Sequence, residues 1–290
     1  MNTPQHDLQD ENSAYGVEVR GYFAEKAEAY DDVDLQPYWM LSDRLLATAL
    51  REDVLSRLPE DFAFLDAGGG TGRWTTFFAE EAPRSSGMLF DLTREMIDVA
   101  RAKAERHGFA DRVEFVEGDL TDVARTLKGR SFDLAFNFHN VLGFVADPEQ
   151  TVKDLAGLLK PGGLLVSFLP SAWHAAYFNI GIGRLDEAEK ALAKRGRFTD
   201  TMPDMHLYDV RRVEEIHAAA GLETAVLTGF PNLIYPGYQE TQLHGSTRQL
   251  VDILEGENFD RVFAMENSIR LAQGIMGRGN NLFTIARRPA

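Results

Sequence analysis

The sequence predicts an α/β protein built on a doubly wound, mostly parallel sheet, and three observations carry that prediction. From residue 62 onward, short apolar runs alternate with amphipathic stretches: FAFLDA, RWTTFFAEEA, GMLFD, TREMIDVARAKAERHG, VEFVEGD, FDLAFNF, a helical segment from Asp147, then GLLVSFL. The apolar runs are nearly continuous rather than alternating, so each strand must be covered on both faces, as in a parallel sheet between two helical layers. A chain of 290 residues, 44% of them hydrophobic, is long enough to bury one main core with additions to it.

The elements follow in order. Residues 1–15, opening MNTPQHDLQDENS, are polar and acidic and are expected to be a disordered tail. Residues 16–60 are expected to form a helical cap, in which Leu41, Leu45, Leu46, Ala49, Leu50, Val54 and Leu55 fall at helical spacing and Pro59 closes the segment. Residues 61–170 carry the alternating strands and helices of the core. Within them Asp147 is expected as an N-cap with Pro148 at the first helical position, Val152, Leu155, Leu158 and Leu159 on one face, and Pro-Gly-Gly beyond the end. Residues 171–290 complete the sheet with two insertions, about 171–208 and 231–279. The first contains a charged, solvent-facing helix in LDEAEKALAKRGR. Between the insertions lie a helix from Asp209 to Ala220, stopped by Gly221, and a strand in TAVLTGF. The second insertion holds helices around STRQLVDILEG and FDRVFAMENSIRLAQ, and NLFTIARR is the last strand.

Composition narrows the function. Thirty Lys and Arg against forty-five Asp and Glu give a net charge of −15, which repels phosphate backbones and anionic membrane surfaces, so neither nucleic acid nor membrane is an expected partner. The chain has no cysteine, which removes thiolate nucleophiles and Cys-ligated zinc and suits a reducing cytoplasm. The N-terminus lacks the basic start and apolar core of a signal peptide, and no apolar run approaches a bilayer span. No His, Asp and Glu spacing suggests a metal site. The expected partner is a small-molecule substrate, with a second copy of the chain as a further candidate.

The stretch DAGGGTGRW, residues 66–74, is the most informative turn. A phosphate-binding P-loop requires Gly-Lys-Ser/Thr, and no lysine occurs here. A dinucleotide fingerprint beginning at Gly68 and Gly70 meets Arg73 where its third glycine should be. Every position does fit D-x-G-x-G-x-G: Asp66, Gly68, Gly70 and Gly72 after an apolar strand. This resembles the first motif of the class I S-adenosylmethionine-dependent methyltransferases, and the resemblance extends over residues 62–170. It implies a Rossmann-like, seven-stranded sheet whose last strand is antiparallel, with S-adenosylmethionine as cofactor. It also assigns roles at successive strand ends. Asp91 would accept the ribose hydroxyls, and Leu92 and Met96 would pack on the adenine. Asp119 and the backbone N–H of Leu120 would meet the adenine edge, and the backbone carbonyl of Asn137 would receive the ammonium of the ligand. LKPGGLLVSF matches the turn into the fifth strand. Tyr30, in YFAEKAEAYDD, and Arg73 are the candidate partners of the ligand carboxylate. Taken alone, Asp91 or Asp119 would read equally well as a turn or helix cap.

Transfer of a methyl from a sulfonium asks the protein mainly to align the acceptor and exclude water. In this family the residues after the fourth strand, here FHNVLGF, face the methyl. His139 is thus the candidate base and Asn140 the amide that orients the acceptor; a histidine capping a backbone group is the alternative for His139. The acceptor lid is expected from the insertions and the cap: Tyr22, Tyr38 and Trp39, then Trp173, His174, Tyr177 and Phe178, then Met202, His206 and Tyr208, with Tyr235, Tyr238 and His244 in the second insertion. Aromatic walls suit a planar or apolar metabolite, as in natural-product biosynthesis, methylated at N, O or C. An NAD-dependent oxidoreductase, on Gly68, Gly70 and Asp91, and a binding scaffold without catalysis are the competing readings.

Overall fold

The computed structural model describes residues 4–234, 254–271 and 277–290. Tyr235, Tyr238, His244 and most of STRQLVDILEG lie outside the described residues.

The core strands are β1 (Ala63–Ala67), β2 (Ser86–Asp91), β3 (Val113–Glu117), β4 (Phe132–Asn137) and β5 (Leu159–Pro170), joined by helices α3 (Arg73–Glu81), α4 (Arg94–His107), α5 (Val123–Thr126) and α6 (Pro148–Leu158). Ahead of them stand α1 (Pro4–Ala24), a 3₁₀ segment (Ala27–Leu35) and α2 (Pro37–Ala49). After β5 come α7 (Ala172–Gly181), α8 (Leu185–Leu192), the two-residue strands β6 (Arg195–Gly196) and β7 (Met205–His206), α9 (Val210–Ala219), β8 (Glu223–Phe230), α10 (Glu257–Ile269) and β9 (Asn281–Arg287). The main sheet has seven strands in the order β3-β2-β1-β4-β5-β9-β8. The five core strands pair in parallel, and β9 runs antiparallel to both β5 and β8.

Successive residues of each strand feed two apolar layers, which is why the runs read as continuous. On one face Phe64, Phe136 and Phe168 pack with Phe78 of α3 and with Leu41 and Leu45 of α2. On the other, Leu65, Ala135 and Leu165 pack with Val152 and Leu155 of α6. Full burial of each large side chain is worth about 1.5–3 kcal/mol, so these two layers supply much of the rigidity on which the strand ends rest. The local signals behave as their chemistry dictates. The carboxylate of Asp147 accepts from the N–H of Gln150 at 2.9 Å and that of Asp209 from Arg212 at 2.9 Å, both as N-caps. Gly108 closes α4 in the left-handed region.

The N-terminus differs from expectation. Residues thought to be a disordered tail form the first turns of α1, which starts at Pro4. The helix is tied down further along. The Tyr15 hydroxyl donates to the carbonyl of Asp204 at 2.6 Å, Val19 is buried, and the Phe23 ring meets Phe144 edge-on at 5.2 Å. Of these three anchors only Tyr15 lies in the stretch expected to be a tail, and Tyr15 and Phe23 meet residues far along the chain.

Candidate functional site

Strand order reverses between β1 and β4, and ligands in such sheets bind beyond the C-terminal ends of the strands at that point. Two adjoining cavities open there. The first is bordered by the glycine turn, by Asp91, Leu92 and Met96, by Asp119 and Leu120, and by Tyr30, Arg73 and His139; α1 covers it with Tyr15, Gly16, Val19 and Phe23. The second, about 310 Å³, lies beside it and is bordered by Tyr22, Trp39, Asn140, His174, Phe178, Phe198, Met202, Asn280 and Asn281, a size and apolar character suited to a small ligand. Phe23, Tyr30, Arg73, His139 and Phe144 border both.

The turn owes its shape to glycine. Gly68 and Gly70 hold φ of +87° and +51°, where a side chain is strained. A Cβ on Gly68 would come within 2.4 Å of Val141, whereas one on Gly70 would meet no heavy atom within 4 Å. Gly70 therefore leaves a space at the cavity wall that the protein does not fill. The carboxylate of Asp91 fixes this geometry, with one oxygen accepting from the N–H of Gly70 at 2.8 Å and the other from Thr93 at 2.8 Å. Burial raises the Asp91 pKa above the ordinary carboxylate value, against the backbone N–H bonds that favour the ionised form.

Asp66 lies beneath the turn and accepts from the Thr75 hydroxyl at 2.6 Å, so it fastens β1 to α3. Burial pushes its carboxyl up to about 7. Asp119 accepts from the N–H and hydroxyl of Thr121, both at 2.8 Å, and its other oxygen lies beside Gly16 of α1. Tyr30 is pushed up to about 12 by burial and stays a neutral phenol.

His139 and Asn140 have φ of +52° and +71°, two successive left-handed residues where the chain leaves β4. Such conformations cost about 1–3 kcal/mol each in non-glycine residues and persist only when their surroundings hold them. The His139 ring stacks on Trp74 at 5.9 Å and 25°. Asn140 is held through its side-chain oxygen, which accepts from Asn281 at 2.8 Å, while the Asn281 oxygen accepts from Asn280 at 2.9 Å. Burial, with the nearby Arg73 guanidinium, pushes His139 down to about 3, so its ring is neutral at physiological pH.

Asp43 of α2 was not singled out by the sequence. One of its oxygens accepts from Arg73 Nη1 at 2.7 Å, and the other lies 3.4 Å from His139 Nε2. Burial pushes its carboxyl up to about 7, and the ion pair with Arg73 opposes that rise. The helical cap thus places a carboxylate against Arg73 and His139, outside both cavities, and supplies aromatic walls with Tyr22, Tyr30 and Trp39. Asn280 and Asn281, at the start of the last strand, were missed too; only a polar pair opening an otherwise apolar strand could have marked them.

Several expected positions fall elsewhere. Asn137, expected to offer its backbone carbonyl, is fully buried, its side-chain amide has no hydrogen-bond partner among the described residues, and it borders neither cavity, whereas Phe138 and His139 just beyond it border the first. Trp173 and Tyr177 are 52% and 58% exposed and border neither cavity. The phase of α7 turns Ala172, Ala175 and Ala176 inward and those two aromatics outward, leaving His174 and Phe178 at the second cavity. His206 contacts Arg212 at 3.3 Å, outside both cavities. Tyr208 is buried and donates to the carbonyl of Leu142 at 2.8 Å.

The donor set fits S-adenosylmethionine. The first cavity presents Asp91 and Asp119 at neighbouring strand ends, apolar Leu92 and Met96 between them, and the space at Gly70, and among the described residues no lysine borders it.

Comparison with known proteins agrees. The family described as "Methyltransferase domain" matches residues 64–163. The tRNA 5-carboxymethoxyuridine methyltransferase of Escherichia coli (strain K12) is 33% identical over 56% of this chain and 57% of that enzyme. The ubiquinone/menaquinone biosynthesis C-methyltransferase UbiE of Roseobacter denitrificans is 30% identical over 59% of this chain and 69% of that protein. Among solved structures, a Haloferax volcanii methyltransferase complex with the Trm112 activator aligns with a TM-score of 0.54 at 20% identity, covering 92% of this chain and 98% of that one. The chain spans little more than half the length of the first curated relatives it matches. A tRNA-modifying relative corrects the expectation, drawn from net charge, that nucleic acid is excluded as a partner: a whole-chain sum of −15 does not describe the surface around one crevice. No helix among the described residues is long and apolar enough to cross a membrane. Fold, strand-end chemistry and relatives converge, and the chain belongs to the class I S-adenosylmethionine-dependent methyltransferase family.

Proposed function

We propose that this chain transfers a methyl group from S-adenosylmethionine to an N, O or C atom of a small acceptor with a flat or apolar body, of the natural-product type. The observation that carries the reading is the pair of adjoining cavities with His139, Arg73, Tyr30, Phe23 and Phe144 as their common wall. When bound, the cofactor supplies a methyl carbon already activated by a positive sulfur. Asp91 holds the ribose end, Asp119 and Leu120 the adenine edge with Leu92 and Met96 against its faces, and Tyr30 and Arg73 the carboxylate end. Asp66 keeps the turn in place through Thr75. Phe23, Phe144 and α1 exclude water. In the second cavity Tyr22, Trp39, His174 and Phe178 wall the acceptor, and Asn140, braced by Asn281, orients it beside His139.

A second reading, favoured by the tRNA-modifying relative, is a nucleoside acceptor within tRNA. One experiment tests both: the protein is incubated with methyl-labelled S-adenosylmethionine and, in parallel, a metabolite extract or total tRNA. Label in a metabolite supports the first reading, label in tRNA moves the conclusion to the second, and label in neither contradicts both.

A further inference from the structure

The two cavities differ in the charged residues that border them. Among the described residues, the first is bordered by three carboxylates, Asp66, Asp91 and Asp119, and one cation, Arg73. The second is bordered by two cations, Lys26 and Arg73, and by no Asp or Glu, in a chain where acids outnumber bases forty-five to thirty. Arg73 is paired with Asp43, which does not border the second cavity, but Lys26 forms no ion pair among the described residues. Its ammonium sits over the Tyr22 ring, 4.6 Å from the centroid, at the edge of this cavity. The oxygen of Asn140 is taken by Asn281, which leaves the Asn140 amide N–H group as the part able to meet a ligand. An acid-lined space suits a cationic cofactor; a space offering an ammonium and an amide donor, with apolar walls and no carboxylate, suits the reverse.

We propose that the second cavity takes an acceptor whose methylated group is a carboxylate on an apolar body. This rests on the methyltransferase reading and names its substrate class. The transfer balances without a base. One carboxylate oxygen gains the methyl and becomes an ester oxygen, the electron pair of the broken carbon–sulfur bond stays on sulfur, and no proton changes hands. The neutral His139 then has no proton to take and serves as part of the wall beside the reacting oxygen. Lys26 attracts the anion, and Asn140 donates to it.

The test is binding, measured by calorimetry on protein saturated with S-adenosylhomocysteine. The probes are 1-naphthoate, 4-phenylbenzoate and dodecanoate, each beside its primary amide. At least one carboxylate should bind roughly ten-fold or more tighter than its amide. Lys26→Met should remove most of that preference and Lys26→Arg should keep it, both with the wild-type affinity for S-adenosylhomocysteine. Amides that bind as well as the acids, a preference unchanged in Lys26→Met, or no binding of any probe overturns the proposal. Failure of S-adenosylhomocysteine itself to bind would instead remove the methyltransferase reading beneath it.

Discussion

Replacing Gly70 with alanine should separate ligand binding from folding. A Cβ at this position meets no heavy atom of the protein within 4 Å, so folding bears only the cost of a left-handed side chain, about 1–2 kcal/mol. For a chain of this length that lowers Tm by roughly 2–8 °C. The added methyl, however, enters space at the wall of the first cavity, where it displaces the ligand from the Asp91 and Asp119 edge. The dissociation constant for S-adenosylhomocysteine should rise roughly ten-fold or more, about 1.4 kcal/mol. Gly68→Ala is the contrast, because its Cβ meets Val141 within 2.4 Å and overpacking adds about 1–3 kcal/mol to the same backbone strain. Differential scanning calorimetry and titration calorimetry on both variants read the two effects separately. Unchanged affinity in Gly70→Ala, or a larger Tm loss there than in Gly68→Ala, would refute the reasoning.

Three further outcomes follow from the same geometry. Asp91→Ala should weaken S-adenosylhomocysteine binding by about 1.5–3 kcal/mol for each charged hydrogen bond lost, and an unaltered titration would remove Asp91 from the ribose site. Because His139 is pushed down to about 3, kcat/KM should show no histidine limb between pH 6 and 8; a limb in the wild type that vanishes in His139→Ala would make this residue a titrating base after all. Asp66 has a folded pKa of about 7, above its unfolded value near 4. Its contribution to stability is therefore greatest below pH 4 and is lost as pH rises to 7, with a slope of up to about 1.4 kcal/mol per pH unit. Chemical denaturation across pH 4–8 should show a shallower decline in Asp66→Asn, and identical slopes would mean that the carboxyl is ionised throughout.

The sheet and the cofactor edge were legible because their signals are local. A turn that needs glycine at φ of +87° and +51° declares itself in five residues, Asp91 ends an apolar strand, and Asp119 stands two residues beyond the end of the next strand. The acceptor side was legible only as composition. Aromatics could be counted in the first insertion, but the phase of α7, which sends Trp173 and Tyr177 outward and His174 and Phe178 to the cavity, depends on which side the Ala172, Ala175 and Ala176 face packs. Asp43 meets Arg73 across 30 residues, Asn281 meets Asn140 across 141, and Tyr15 meets Asp204 across 189. Contacts so distant along the chain leave no spacing to recognise, and for the same reason the sequence did not show that α1, which joins the expected tail to the expected helical cap, covers the first cavity.

The central claim, that the glycine turn and the strand ends after it form a site for a sulfonium nucleoside, is tested most directly by titrating the purified chain with S-adenosylhomocysteine and, separately, with NAD. Saturable binding of S-adenosylhomocysteine at one site per chain, lost or greatly weakened in Asp91→Ala, with no heat from NAD, is the result predicted. Saturable binding of NAD with none of S-adenosylhomocysteine would contradict it.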